Sequence, residues 1–394
     1  MEAKTSRLYF IDAMRAWAIL MMLQGHFVDG LLDPVFRDDS NIVYSVWKYF
    51  RGITAPVFFT VSGFIFTYLL IRVPGNGLEN PRVKKGIKRG LQLLFIGYLL
   101  RLNLLGLLKG EIYEATYLVD VLHCIGLSLL GIIGIYLYSA GKHRRIFPAI
   151  LLGCSILLFV FEPVYKQWTF SFLPDLLANY FTKANGSVFT IIPWFGYTAI
   201  GAFMATLFTR YRNARYLFPS AIGISLIAGT SLIFFSSAAF AALGQTTGIE
   251  LFQAIYYNNY LFIRLGDVLV VFAVFMCLRE LLKKKTLLRL GQNTLSIYVI
   301  HFVVLYGSFT GLGLYAFFHH SLNPNIVIPG AIAFMIACSF AALRYDDREL
   351  IIKARGVALL QHAGEQAEEF IWVLRRILKN ASTRLLRVLG MVKS

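Results

Sequence analysis

Apolar runs of about 20 residues recur along the chain, separated by short polar stretches. Each run is long enough to cross a hydrocarbon core of about 30 Å. Ten such spans are expected, over 10–30, 50–71, 89–108, 118–139, 146–162, 188–208, 217–242, 261–281, 287–308 and 325–343. Lipid offers no water to the backbone, and the runs are too long for barrel strands, so helices are the only form that satisfies them. The expected fold is all-α, a polytopic membrane helix bundle of about ten transmembrane helices. Residues 163–187, with Trp168, Phe170, Phe172 and Tyr180, read as an outer loop on the interface.

After about residue 345 the pattern changes. Phe370, Ile371, Leu374, Ile377 and Leu378 repeat at helical spacing, as do Leu385 and Leu389, with Arg375, Arg376 and Lys379 between them. This predicts an amphipathic C-terminal helix on a membrane surface or a partner. The expected organisation is a membrane domain over 1–345 and a cytoplasmic tail over 346–394.

The polar connections alternate in charge. One set carries Lys4 and Arg7, then Arg72, Arg82, Lys84, Lys85, Lys88 and Arg89, then Lys142, Arg144 and Arg145. It continues with Arg210, Arg212 and Arg215, then Lys283, Lys284, Lys285 and Arg289, then Arg344 and Arg348. The other set is acidic or nearly neutral: Asp29, Asp33, Asp38 and Asp39, then Glu111 and Glu114, then residues 244–250 and 311–325. Basic connections stay inside, which puts both termini in the cytoplasm of a multi-pass protein, with a bacterial inner membrane the expected location. The first span is expected to be retained, since no small-residue cleavage site follows a short apolar core.

Composition agrees. Only 15% of residues are charged, against about 25% in soluble domains, and mean hydropathy is +0.64. A net charge of +17 in a soluble protein would suggest nucleic acid. Here the basic residues are interleaved with spans, so they read as topology signals and contacts to the lipid bilayer, with no nucleic-acid partner expected. Cys124, Cys154, Cys277 and Cys338 sit in apolar runs without a CxxC pair and read as small buried hydrophobes, not as a disulfide framework or a metal site. His319 and His320 lack a third ligand nearby, so no metal site is expected.

Ionisable residues within spans are expensive, so each is a candidate for function. Asp12, Arg15, His26 and Asp29 all lie on the first span. Arg15 and His26 are 11 positions apart, which is three turns plus about 20°, so they face the same way about 16 Å apart. Asp29 sits one turn beyond His26, where it is expected to orient the imidazole and raise its basicity. An acyl-CoA donor has anionic phosphates at one end and a thioester at the other, on an arm of roughly this reach. Arginine holds phosphate by paired hydrogen bonds, and histidine serves as base or nucleophile at the thioester. The plain alternative is an Arg15 anchor paired with Asp12 and a structural interfacial His26. His123, three residues after Asp120, is a candidate acceptor contact, and His301 beside Tyr298 is either that or an interhelical hydrogen-bond residue. Arg264 and Asp267 read as neutralising each other, and Pro193 with Trp194 as a kink or a cavity wall.

The stretch RLYFIDAMRAWAILMMLQGHF, with Arg15 and His26, resembles the Arg-x10-His first span of acyltransferase family 3. APVFFTVSGF (55–64) resembles the second-span signature of that transmembrane acyltransferase superfamily. RGLQLLFIGYLL (89–100), VDVLHCIGLSLL (119–130), IIPWFGYTAIGAF (191–203) and LGQNTLSIYVIHF (290–302) are more similar to the heparan-alpha-glucosaminide N-acetyltransferase-like branch. The 30–49 loop is short and the tail belongs to neither pattern, which leaves the acceptor open.

The resemblance implies a CoA thioester donor, acetyl-CoA or another acyl-CoA, and a hydroxyl or amine acceptor on a carbohydrate or other envelope compound. His26 and Asp29 are then the expected catalytic residues, and Arg15, Lys84, Lys85, Lys88 and Arg89 the expected CoA-phosphate contacts. His123, Asp120, Trp194 and His301 are the expected acceptor contacts, and a homodimer is an allowed assembly. The rival class is a transporter or flippase without covalent chemistry, which buried Arg, Asp and His residues would also serve.

Overall fold

Asparagine and aspartate caps mark where several of the apolar runs enter helix. A computed structural model describes residues 8–75, 77–111 and 113–388, with only some side chains beyond 356. Asn41 caps α2 (Ile42–Leu70) by accepting from the Val43 and Tyr44 amides, and Asn80 caps α3 (Pro81–Arg101), whose first residue is the proline that such a start tolerates. Asp120 caps α4 (Val121–Ser139), and His123 reaches back to the Asp120 amide, a reciprocal box. These follow α1 (Tyr9–Leu31), which carries Arg15 and His26 on one unbroken helix.

The remaining long helices are α5 (Ile146–Val160), α6 (Ile191–Arg210), α7 (Leu217–Thr247), α8 (Tyr260–Cys277), α9 (Lys285–Gln292), α10 (Thr294–Tyr306) and α11 (Pro324–Val388). Short helical turns join them, and no strand occurs among the described residues. Met1–Phe340 form one compact unit and Ala341–Ser394 another. In the second unit Trp372, Arg375 and Arg376 are exposed. The expected apolar tail positions, Phe370 through Leu389, lie outside the described side chains, as Lys4 and Arg7 lie outside the described residues.

Helices cover parts of all ten expected spans. Among the described residues six are long and apolar enough to cross a membrane, or seven if α9 and α10 make one broken span. The charges on α1 and α3 and the 15-residue length of α5 keep those three outside that set. One expected span differs in kind: 287–308 is two helices bent by 70° at Asn293, not a straight rod. Gln292 and Asn293 interrupt the apolar run at the break. Gly291 lies against the Asp12 backbone of α1, where a methyl group would strike the Asp12 carbonyl. The expected 89–108 span also ends early, with α3 stopping at Arg101.

The bundle centre is built by backbone approach. Gly63 of α2 faces Thr198 of α6, and Gly201 of α6 faces Thr60 of α2, with no room for a Cβ at either place. Small residues let membrane helices pack this closely where burial from water supplies no drive. Phe10, Phe64 and Phe272 fill the adjoining core with ring centroids 5.8–6.5 Å apart. α7 shows the reverse pattern, with Ile224, Ile227, Phe234 and Phe235 exposed, as suits a helix facing lipid. Cys124 and Cys338 are buried, whereas Cys277 is exposed, contrary to the uniform burial expected; all four thiols are free.

Candidate functional site

One end of the bundle gathers the C-terminal part of α1, the starts of α2, α4 and α6, and the ends of α3 and α10. His26 stands there between two cavities. One, of about 270 Å³, is lined by Met22, Arg51, Phe58, Lys183 and Trp194. The other, of about 490 Å³, is lined by Asp29, Arg101, Asn103, Asp120 and Tyr306. His26, Arg51, Val188 and Phe189 belong to both. The Tyr306 hydroxyl lies 3.1 Å from His26 Nδ1, and His26 Nε2 has no hydrogen-bond partner among the described residues. An imidazole held through one nitrogen with the other available is competent to take a proton or attack an acyl carbon.

Asp29 does not orient this ring as expected. Its carboxylate forms an ion pair with Arg51 of α2, because Asp29 lies in the last turn of α1, beside the start of α2. Tyr306 takes the orienting place instead. Arg37 and His320 meet the Asp29 main-chain carbonyl at 2.9 and 3.2 Å, which ties down the end of α1.

The second carboxylate of the larger cavity is Asp120. It accepts from the Tyr298 hydroxyl at 2.7 Å and from Arg101 at 3.3 Å, and it caps α4 through the Val121 amide. One buried group thus has a local and two tertiary partners, which is what makes a carboxylate tolerable there. Its neighbour His123 is fully buried, spends Nδ1 on the reciprocal cap and packs on Tyr98 at 4.2 Å. His123 lines neither cavity and takes part in the cap of α4.

His301 is also fully buried. It meets the rings of His26 and Tyr298 edge-on at 5.2 and 4.8 Å, without a side-chain hydrogen bond across helices. It supports His26 from behind and lines neither cavity. Trp194 does line the smaller one. α6 begins with a non-helical Ile192, and this break and the cavity wall are both present where the sequence left a choice. Lys183 reaches the same cavity from the loop before α6; desolvation lowers its ammonium pKa, partly opposed by Glu162.

Toward the other end of α1, Arg15 lines a separate cavity of about 230 Å³ with Arg89, Ser62, Thr294 and Tyr298. Arg15 donates to the Thr294 hydroxyl at 2.9 Å and lies 4.0 Å from Asp12. Of the four basic residues expected beside it, Arg89 joins the cavity. Lys84, Lys85 and Lys88 are exposed on α3 and do not line it. Phe58 lines both this cavity and the smaller one at His26. The Arg264–Asp267 pair closes at 2.9 Å, with Tyr49 donating to Asp267 at 2.7 Å, and it is a structural lock between α2 and α8.

Arg51, Arg101, Thr294 and Tyr306 escaped the sequence reading. Two carried a usable signal: Arg51 and Arg101 are arginines inside expected spans, and the rule applied to Arg15 applies to them. Thr294 and Tyr306 carried none, since a threonine and a tyrosine at helix ends are ordinary.

No curated protein matches the chain. The acyltransferase domain of acyltransferase family 3 matches residues 8–344, which takes in every residue of the three cavities, and this multi-pass membrane chain belongs to that family.

Proposed function

We propose that this protein moves an acyl group, most simply acetyl, from its CoA thioester to a hydroxyl or amine of a carbohydrate or related envelope compound. The observation that carries the reading is His26 between two cavities, with Nδ1 on Tyr306 and Nε2 unpartnered. In the proposed step the acceptor oxygen or nitrogen attacks the thioester carbon while its proton passes to His26 Nε2. The C–S bond then breaks, and the thiolate leaves as the thiol with that proton. Arg15 and Arg89 take the CoA phosphates, which asks for charge-assisted hydrogen bonds at a point about 16 Å from the imidazole along α1. The polar cavity with Asp29, Arg51, Arg101, Asn103 and Asp120 suits a polyhydroxylated acceptor, because it offers both donors and acceptors. The similarity of four segments to the heparan-alpha-glucosaminide branch supports a sugar amine or hydroxyl as the target. The basic connections support a donor side in the cytoplasm and an acceptor side opposite, in a bacterial inner membrane.

The test uses membranes containing the chain, supplied with acetyl-labelled acetyl-CoA. Label should enter the lipid or glycan fraction with the wild type and fall by about 10²–10⁴-fold with His26→Ala, the range of a lost general base. Equal incorporation by a folded His26→Ala protein would refute the assignment.

A further inference from the structure

A third kind of site lies away from His26. α6 and α7 are joined by residues 211–216, yet α7 packs mainly on α8, and a groove of about 630 Å³ is left between α6 and α7. Its floor includes Leu265 and Leu269 of α8, and Phe208 meets Phe218 at 6.3 Å on its inner side. Its lining is apolar along its length, and the polar groups concentrate at the end formed by Tyr211, Arg215 and Tyr216.

The lengths of its two walls point to the occupant. The α7 wall runs from Leu217 to Ala228 and the α6 wall from Ile200 to Tyr211. At 1.5 Å per residue each wall is about 16 Å long, close to half of a hydrocarbon core of about 30 Å. The groove therefore has the depth of one leaflet. Its polar end falls at headgroup level, where tyrosines sit in membrane proteins.

Charge decides the headgroup. Arg210, Arg212 and Arg215 share the connection at the mouth, and none has an ion pair among the described residues. The guanidinium groups of Arg210 and Arg215 lie over the rings of Tyr211 and Tyr216, each at 5.4 Å. Stacking of this kind uses the face of the guanidinium and leaves its N–H edge free for a phosphate. A neutral zwitterion would bring a second cation to the same cluster; a singly anionic phosphodiester would not.

We infer that the α6–α7 groove is a binding site for an anionic phospholipid, one acyl chain between the helices and the phosphate on Arg215. The inference rests on the membrane character of the chain and not on the acyl-transfer reading.

The test titrates purified, delipidated full-length protein in neutral detergent with phosphatidylglycerol or phosphatidylcholine of matched chains, reading bound lipid by native mass spectrometry. Phosphatidylglycerol should bind at least about fivefold tighter, the factor expected when one surface arginine meets an anionic headgroup. Arg215→Gln should remove that preference while leaving phosphatidylcholine binding unchanged. Ala221→Trp, which fills the groove from a partly exposed position of α7, should weaken both lipids. Soluble glycerol phosphate should not displace the lipid. Equal binding of the two lipids by the wild type, or an Arg215→Gln protein that keeps the preference, would overturn the inference. Displacement by glycerol phosphate would overturn it too, since a free phosphate would then be the ligand.

Discussion

Tyr306, the last residue of α10, places its hydroxyl 3.1 Å from Nδ1 of His26 on α1, across 280 positions of sequence. That contact holds the ring through Nδ1 and leaves Nε2 without a hydrogen-bond partner among the described residues, a task that falls to a carboxylate in many histidine sites. A neutral hydroxyl holds the ring without adding a fixed charge beside it.

Tyr306→Phe should therefore keep the fold and lower transfer by about tenfold or less, the worth of one neutral hydrogen bond. Asp29→Asn should change transfer less than Tyr306→Phe does, because the Asp29 carboxylate faces Arg51. Initial rates of label transfer, compared with melting temperatures in detergent, separate the two effects. A larger loss from Asp29→Asn would return the carboxylate to the orienting role.

Donor affinity should divide the basic residues. Arg15→Ala and Arg89→Ala should each weaken CoA binding by about tenfold to a hundredfold, as lost charge-assisted bonds do. Substituting Lys84, Lys85 and Lys88 together by alanine should change it by about twofold or less, since these exposed side chains lie outside the cavity. Isothermal titration with CoA measures all four proteins, and an unchanged affinity in Arg15→Ala would remove Arg15 from donor binding.

Asp120 should show its several roles separately. Asp120→Ala removes the cap of α4 and leaves Arg101 without its carboxylate, and should cost about 3–5 kcal/mol. Asp120→Asn keeps a capping oxygen and should cost less by about 1 kcal/mol or more. Denaturation in mixed micelles reads both.

Gly63→Val forces a branched side chain onto the Thr198 carbonyl and should destabilise the bundle by about 1–3 kcal/mol. Gly134→Ala, which meets nothing nearby, should be close to neutral and is the matched control.

Lys183 makes a prediction about pH. Its folded pKa lies below the ordinary 10.5 because the ammonium is partly desolvated, but the side chain keeps contact with solvent, so the charged form costs only a little stability at every pH below the folded value. The cost shrinks as pH rises through that value and vanishes above the unfolded one. Lys183→Met should be more stable than wild type near pH 7, and the difference should close as pH approaches 10.5. Melting temperatures across that range check the sign.

Much of this was legible in the chain. Hydropathic runs located the helices because lipid leaves them no alternative, and the 3.6-residue period put Arg15 and His26 on one face of α1 before any tertiary contact was known. The neighbours of those two residues were not legible. Asp29 and His123 sit at the correct local spacing for their expected roles, but Arg51 and the α4 cap claim them through contacts that no single-helix argument contains. The break at Asn293 had a signal that went unread, since Arg289, Gln292 and Asn293 interrupt the apolar run there; what no sequence pattern shows is the close approach of Gly291 to the Asp12 backbone of another helix.

That break has a further consequence. By starting α10 afresh at Thr294, it gives α1 a parallel companion touched at both ends: Thr294 holds Arg15, and Tyr306 holds His26. The intervals are 11 residues on α1 and 12 on α10, about 16 and 18 Å at the helical rise. Two rods pinned at top and bottom act as a calliper whose jaws are the guanidinium and the imidazole. One residue inserted between Arg15 and His26 would turn one jaw about 100° away from the other. The gap is thus set by counting residues, and in the proposed reaction a donor with a longer or shorter arm would reach one jaw and miss the other.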